Sequence, residues 1–130
     1  MTTYTAFVTA LAGMTITGVS TQYTTEIDYG DTADLPCSFP RLPSGGTNEE
    51  TMTTCVNDGR VRVGELVVLV QANGQGTTEE NYAATLTMID SVETAVKSLK
   101  TLPIMTWEIA AGRTAVPGYW AVVLTVTGVE

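Results

Sequence analysis

Two glycines, Gly74 and Gly76, follow an apolar run and open what reads as a helix, where a phosphate-binding loop belongs. The third glycine of a dinucleotide fingerprint is absent and no P-loop lysine follows. Glu79 and Glu80 would repel a phosphate at that helix start, so the pair reads as a flexible strand-to-helix turn. Glu26, Asp28, Asp31 and Asp34 gather carboxylates in one short stretch, and calcium takes several oxygen ligands from a tight loop. Their spacing departs from the EF-hand pattern and no bidentate glutamate follows in place, which favours a solvated acidic loop. Cys37 and Cys55 could be reactive thiols only beside a base or positive charge. The chain has no histidine, and Arg41 is the one candidate neighbour. A cysteine in a β segment is more often a small core residue. Nucleophilic catalysis by Ser or Thr would need Lys or a carboxylate as its base. Lys97 and Lys100 fall at the end of a helix. A carboxylate pair leaves glycosidase chemistry open, with no motif in support. The reading is therefore of a chain that is not an enzyme, with no cofactor or metal.

Composition narrows the classes further. At 130 residues the chain is expected to be one domain, spanning 1–130, large enough to bury a core without staples. Thr fills 24 positions, which favours strands over helix interiors. The net charge is −8, and the bases Arg41, Arg60, Arg62, Lys97, Lys100 and Arg113 form no run. Stable nucleic-acid binding rests on phosphate neutralisation, which this distribution disfavours. An acidic surface would instead let DNA pass without sticking. Two cysteines make no disulfide framework, although residues 35–41 and 50–56 could pair and bring them face to face. Reduced thiols are the preferred reading, since nothing indicates secretion: the apolar N-terminal stretch lacks a basic n-region. No segment approaches the ~20 apolar residues of a membrane span.

The elements that must position these residues are legible in part. Tyr4, Phe7, Val8 and Leu11 form one face of a short helix over 3–12, ended by Gly13. Residues 14–34 read as one irregular strand or hairpin followed by a loop. Pro36 and Pro40 confine 35–41 to an edge strand. Residues 43–48 read as a loop, 50–56 as a strand, and Asn57-Asp58-Gly59 as a hairpin turn. The segment 60–72 is apolar on both faces at its centre, so it belongs inside a sheet covered on each side, with Gly64 as a bulge or bend. Thr77-x-x-Glu80 is a capping box for a helix over 78–101. Tyr82, Leu86, Ile89, Val92, Val96 and Leu99 are read as its buried seam. Glu93 and Lys97 are an i, i+4 pair in the favourable order. Strands follow at 104–110 and 119–127, joined by a loop over 112–118. Met105, Trp107 and Ile109 share one face of the first, and Trp120, Val122, Leu124 and Val126 one face of the second. Both tryptophans and Tyr82 are expected in the core. Tyr119 faces away from Trp120 and is a candidate for an interface. The fold class expected is α+β: an antiparallel or mixed sheet with a short N-terminal helix and one long helix packed on a face.

This succession resembles the tail terminator proteins of long-tailed bacteriophages. The matching pieces are helix 3–12, Asp34-Leu35-Pro36, strand 60–72, helix 78–101 and the ending Gly118-Tyr119-Trp120-Ala121-Val122-Val123-Leu124-Thr125-Val126-Thr127-Gly128. The resemblance is one of element order and covers most of the chain. The segment 20–34 and the two cysteines have no counterpart in it. It implies a hexameric ring, made of copies of this chain, on the head-proximal end of the tail tube. Such a ring stops tube polymerisation, presents a surface to the head-side connector protein and lets DNA through. Implied partners are the chain itself, the tail tube protein and the connector, in a virion assembled in the host cytoplasm. The partner and ring-interface candidates are Arg41, Ser44, Asn48, Arg60, Arg62, Arg113 and Tyr119. Rival expectations are another neck or tail tube subunit, and a small metal- or ligand-binding module using the acidic 26–34 stretch.

Overall fold

The computed structural model describes residues 4–27, 35–41, 49–50, 60–100 and 104–129; for residues 49–50, 60–61, 104–105 and 129 it describes the backbone only. In chain order the elements are α1 (Tyr4–Ala12), β1 (Thr21–Gln22), β2 (Cys37–Arg41), β3 (Glu49–Glu50), β4 (Arg60–Ala72), α2 (Thr78–Lys97), β5 (Ile104–Val116) and β6 (Tyr119–Val129). The strands form one sheet in the order β1-β2-β4-β6-β5, with β3 pairing β4 off that path. β1 runs parallel to β2 and every other pairing is antiparallel, so the sheet is mixed and the fold is α+β.

β4 is the spine of this sheet, for the reason its sequence suggests. Leu66, Val68 and Val70 point to one face and Val67 and Leu69 to the other, and all are buried. The first face joins Phe7 and Leu11 of α1, Met88, Val92 and Val96 of α2, and Trp120, Val122, Leu124 and Val126 of β6 in one cluster. The second face gathers Cys37, Phe39, Val116, Ala121 and Val123, with Tyr23, Ile27, Leu35 and Tyr119 packed against them. Each fully buried Leu, Val or Phe side chain stabilises the fold by about 1.5–3 kcal/mol, so these two layers hold the sheet.

α1 ends at Ala12, and the Gly13 N–H donates to the Thr9 carbonyl. Tyr4 anchors its first turn by donating from its hydroxyl to the Val63 carbonyl at 2.9 Å. Gly64 corrects an expectation: it is no bulge. The register shift in β4 falls between Leu69 and Gln71. Gly64 is instead a gap into which α1 packs, since a Cβ there would lie 2.5 Å from Leu11 Cδ1 and 2.8 Å from Phe7 Cε1. β2 carries Pro40 where the sheet tolerates it. β1 flanks only Cys37 and Ser38, so Pro40 needs no N–H on that side. The Leu35–Pro36 bond is cis.

Three further differences from expectation have physical causes. The stretch 14–27 yields only the two-residue β1, and the Gln22 side-chain amide donates to the Met14 carbonyl to tie it to the end of α1. The expected loop over 112–118 is mostly strand, because β5 runs on to Val116 and turns only at Pro117-Gly118. Gly118 has φ +85°, the conformation that the residue after proline takes in a type II turn. α2 stops at Lys97 rather than near 101, with the Ser98 N–H shared among the carbonyls of its last turn. The expected strand over 51–56, the turn at 57–59, Asp28, Asp31 and Asp34 lie outside the described residues.

Candidate functional site

α2 begins as its sequence requires. The Thr77 hydroxyl accepts from the Glu80 N–H at 3.1 Å and donates to the Glu80 carboxylate at 3.2 Å, a reciprocal cap. Gly74 and Gly76 precede it with φ +97° and +71°, the conformation of a turn. Glu93 and Lys97 approach to 4.0 Å on its exposed side.

The buried stripe of α2 is not the one expected. Asn81, Thr85, Met88, Val92, Ala95 and Val96 face the sheet. Tyr82 is 58% exposed and Leu86 47%, which corrects their placement in the core seam. Local hydrogen bonds make the exchange affordable. The Asn81 amide donates to the Gln75 carbonyl at 2.7 Å, and the Thr85 hydroxyl to the Asn81 carbonyl at 2.7 Å. Two polar side chains are thus buried with partners, and two large apolar ones are turned outward.

That outward flank has a definite location. Ile89 continues the row and is partly buried against the first core cluster, together with Trp107 and Ile109 of β5. The opposite flank, through Thr94, Ala95 and Ser98, meets Gly13, Met14 and Thr15 behind α1. α1 covers the β2 and β4 half of the sheet, and α2 lies over β6, β5 and β4. Tyr82, Leu86 and Ile89 therefore overhang the β5 side. No described strand pairs with the outer side of β5, which ends the sheet. An exposed edge of this length presents a row of N–H and C=O groups able to receive another strand. Apolar flank and open edge together form one surface suited to protein contact.

The residues singled out from sequence separate into two places and do not form one patch. Arg41 is held inside the fold: its guanidinium meets Glu65 at 2.6 and 2.9 Å, and Glu65 is only 8% exposed. Arg62 lies two residues beyond Arg60 on β4, half-buried, with its Nε buried and without a hydrogen-bond partner. Arg60 opens β4 opposite Glu50. At the other end of β4, Ala72 pairs with Tyr119, which does turn away from Trp120 but packs half-buried on the second core cluster. Arg113 is exposed on β5 and lies 5.1 Å from the centroid of the Trp120 ring, a cation–π contact. Trp120 is core, as expected; Trp107 is only partly buried. Ser44 and Asn48 lie outside the described residues. Of the candidates, Arg113 alone stands on β5, and Tyr82 and Leu86 were missed as surface residues.

Other chemistry is sparse. Among the described residues no group of three or more His, Cys, Asp or Glu side chains could hold a metal ion. Cys37 is a free, buried thiol whose pKa is pushed up by desolvation, the reverse of activation. An open cleft of about 390 Å³ runs along α1, lined by Tyr4, Thr5, Val8, Thr9, Thr24 and Thr25. No helix among the described residues is long and apolar enough to cross a membrane. No family model and no curated protein matches the chain.

Proposed function

We propose that this chain is a structural virion protein, a tail terminator that forms a closed ring, six-membered by family resemblance, at the head-proximal end of a bacteriophage tail tube. The observation that supports this most is the pairing of the exposed Tyr82–Leu86 flank with the open β5 edge. Apolar surface on a helix beside an unpaired strand is what a subunit buries in an assembly. The excess of acids over bases suits a lumen through which DNA moves without adhering. The partners are then further copies of the chain, the tail tube protein and the head-side connector protein.

The test is to mix the purified chain with tail tubes of the virus that encodes it and image them by negative stain. Added density at one tube end, with tubes that no longer elongate when tube protein is supplied, is the expected outcome. Long tubes built from this chain alone would make it a tube subunit. A chain that ignores tubes altogether would overturn the proposal.

A further inference from the structure

We propose that free copies of this chain pair two by two through their β5 edges, in antiparallel register about Ala110, with the Tyr82–Leu86 flanks of the two α2 helices closing over the seam. The occupant of the open edge is thus a second copy of the chain. The inference rests on the edge and the flank alone and not on the ring reading.

β5 carries none of the usual guards of an exposed edge. It is 13 residues long and has neither proline nor lysine within it. From Thr106 to Gly112 it pairs with β6 in unbroken register, and irregularity begins only beyond Gly112. Its middle is Ala110-Ala111-Gly112, small residues that leave the backbone accessible to another strand.

Charge selects the orientation. The one acid of β5 is Glu108, before this small-residue centre, and the one base is Arg113, after it. Two edges in parallel register would oppose Glu108 to Glu108 and Arg113 to Arg113, and like charges directly opposite destabilise a strand pair. Antiparallel pairing about Ala110 sets Trp107 opposite the partner's Arg113 and Glu108 opposite the partner's Gly112. Each acid then lies one rung from a base. The edge is complementary to itself in one direction only.

The helices agree with that direction. An antiparallel pair of identical edges is related by a two-fold axis normal to the sheet, which keeps both α2 helices on the same face. Strands are spaced ~4.8 Å apart, so the two β6 strands would lie roughly 14 Å from one another with β5 and its copy between them. α2 lies over β6 and β5, and Tyr82, Leu86 and Ile89 of each copy point into the space between the helices. The side chains left exposed in one chain fill that space in the pair. A two-fold contact joins two copies and stops, so the pair is a closed form that must open before these surfaces can serve any larger assembly.

The experiment is native mass spectrometry and light scattering of the full chain without tail tubes, across a dilution series. A particle of twice the 13.8 kDa chain mass that dissociates on dilution is expected. Ala110→Lys sets two lysines together at the axis, and Leu86→Glu places charge in the helix seam. Each should weaken the pair by about tenfold or more, while circular dichroism shows the fold intact. Glu108→Arg alone should weaken it, and Glu108→Arg combined with Arg113→Glu should restore it. A mass of one chain at every concentration overturns the inference, and so does a pair indifferent to Ala110→Lys and Leu86→Glu. Neither result bears on ring formation, which is read only with tubes present.

Discussion

Replacing Gly64 with alanine tests how α1 meets the sheet. The added methyl would sit 2.5 Å from Leu11 Cδ1, 2.8 Å from Phe7 Cε1 and 3.2 Å from Phe7 Cδ1. Contact needs roughly 3.5–4 Å between carbons, so the neighbours must retreat by about 1 Å. Both are fully buried, which leaves them little room. Overpacking of this kind costs about 1–3 kcal/mol. Gly64 does not need a positive φ, so alanine also gains about 0.4–1 kcal/mol by stiffening the unfolded chain. The net expectation is a loss of about 1–2 kcal/mol, or roughly 4–8 °C in Tm for a chain of this length. Leu11→Ala by itself should cost about 2–5 kcal/mol. In the double variant the alanine methyl occupies part of the vacated space, so the two costs should sum to less than their total by about 1 kcal/mol or more. Urea unfolding of the four proteins measures all of this. A neutral Gly64→Ala, or strict additivity with Leu11→Ala, would refute the packing account and return Gly64 to a backbone role.

Three other outcomes follow from the same geometry. Thr77→Ala removes the N-cap of α2 and should cost about 1 kcal/mol, whereas Thr77→Ser should cost little; thermal unfolding separates them. Arg41→Ala leaves Glu65 buried without its cation and should cost about 1–2 kcal/mol, reduced from a fully buried pair because Arg41 is partly exposed; Arg41→Ala combined with Glu65→Gln should recover part of it. Burial holds the Cys37 thiol protonated above its ordinary pKa, while the unfolded thiol ionises normally. Its contribution to stability is therefore full below the ordinary thiol value and falls as pH rises past it, and in a Cys55→Ser background unfolding midpoints should decline faster on the alkaline side than in the variant that also carries Cys37→Ala. Rapid labelling of Cys37 by a thiol reagent at neutral pH would contradict this last expectation.

Much of the architecture could be read from the chain because each signal had one local cause. The Thr77–Glu80 box starts α2 through its own hydrogen bonds, and the two-faced apolar run of β4 demands cover on both sides. The phase of α2 was the part that misled. Periodicity ranks Tyr82 and Leu86 as core and Asn81 and Thr85 as surface, and hydrogen bonds from Asn81 to Gln75 and from Thr85 to Asn81 reverse that ranking. The same i to i−4 bonding recurs at Thr87, Ser91, Thr94 and Ser98, which lets a Thr- and Ser-rich helix remain continuous. A helical Thr four residues after an Asn that follows a glycine turn was the signal available. At β5, Gly112 resembled the start of a loop, yet only Pro117-Gly118 turns the chain. The open edge could not be seen in sequence at all, since it depends on the sheet order that leaves β5 outermost. The basic candidates failed as a group for a related reason: Arg41 is consumed by Glu65, and pairing places Arg62 and Arg113 at opposite ends of the sheet.

The most direct measurement is the occupancy of tube ends by wild-type chain and by Leu86→Glu, imaged on the same tail tubes at equal concentration. Leu86 is half exposed, so its replacement should leave thermal stability nearly unchanged. The account predicts discrete rings at one end of the tubes for the wild type and bare ends for the variant. Rings that form equally well with Leu86→Glu, or tubes that stay bare with both, would contradict it.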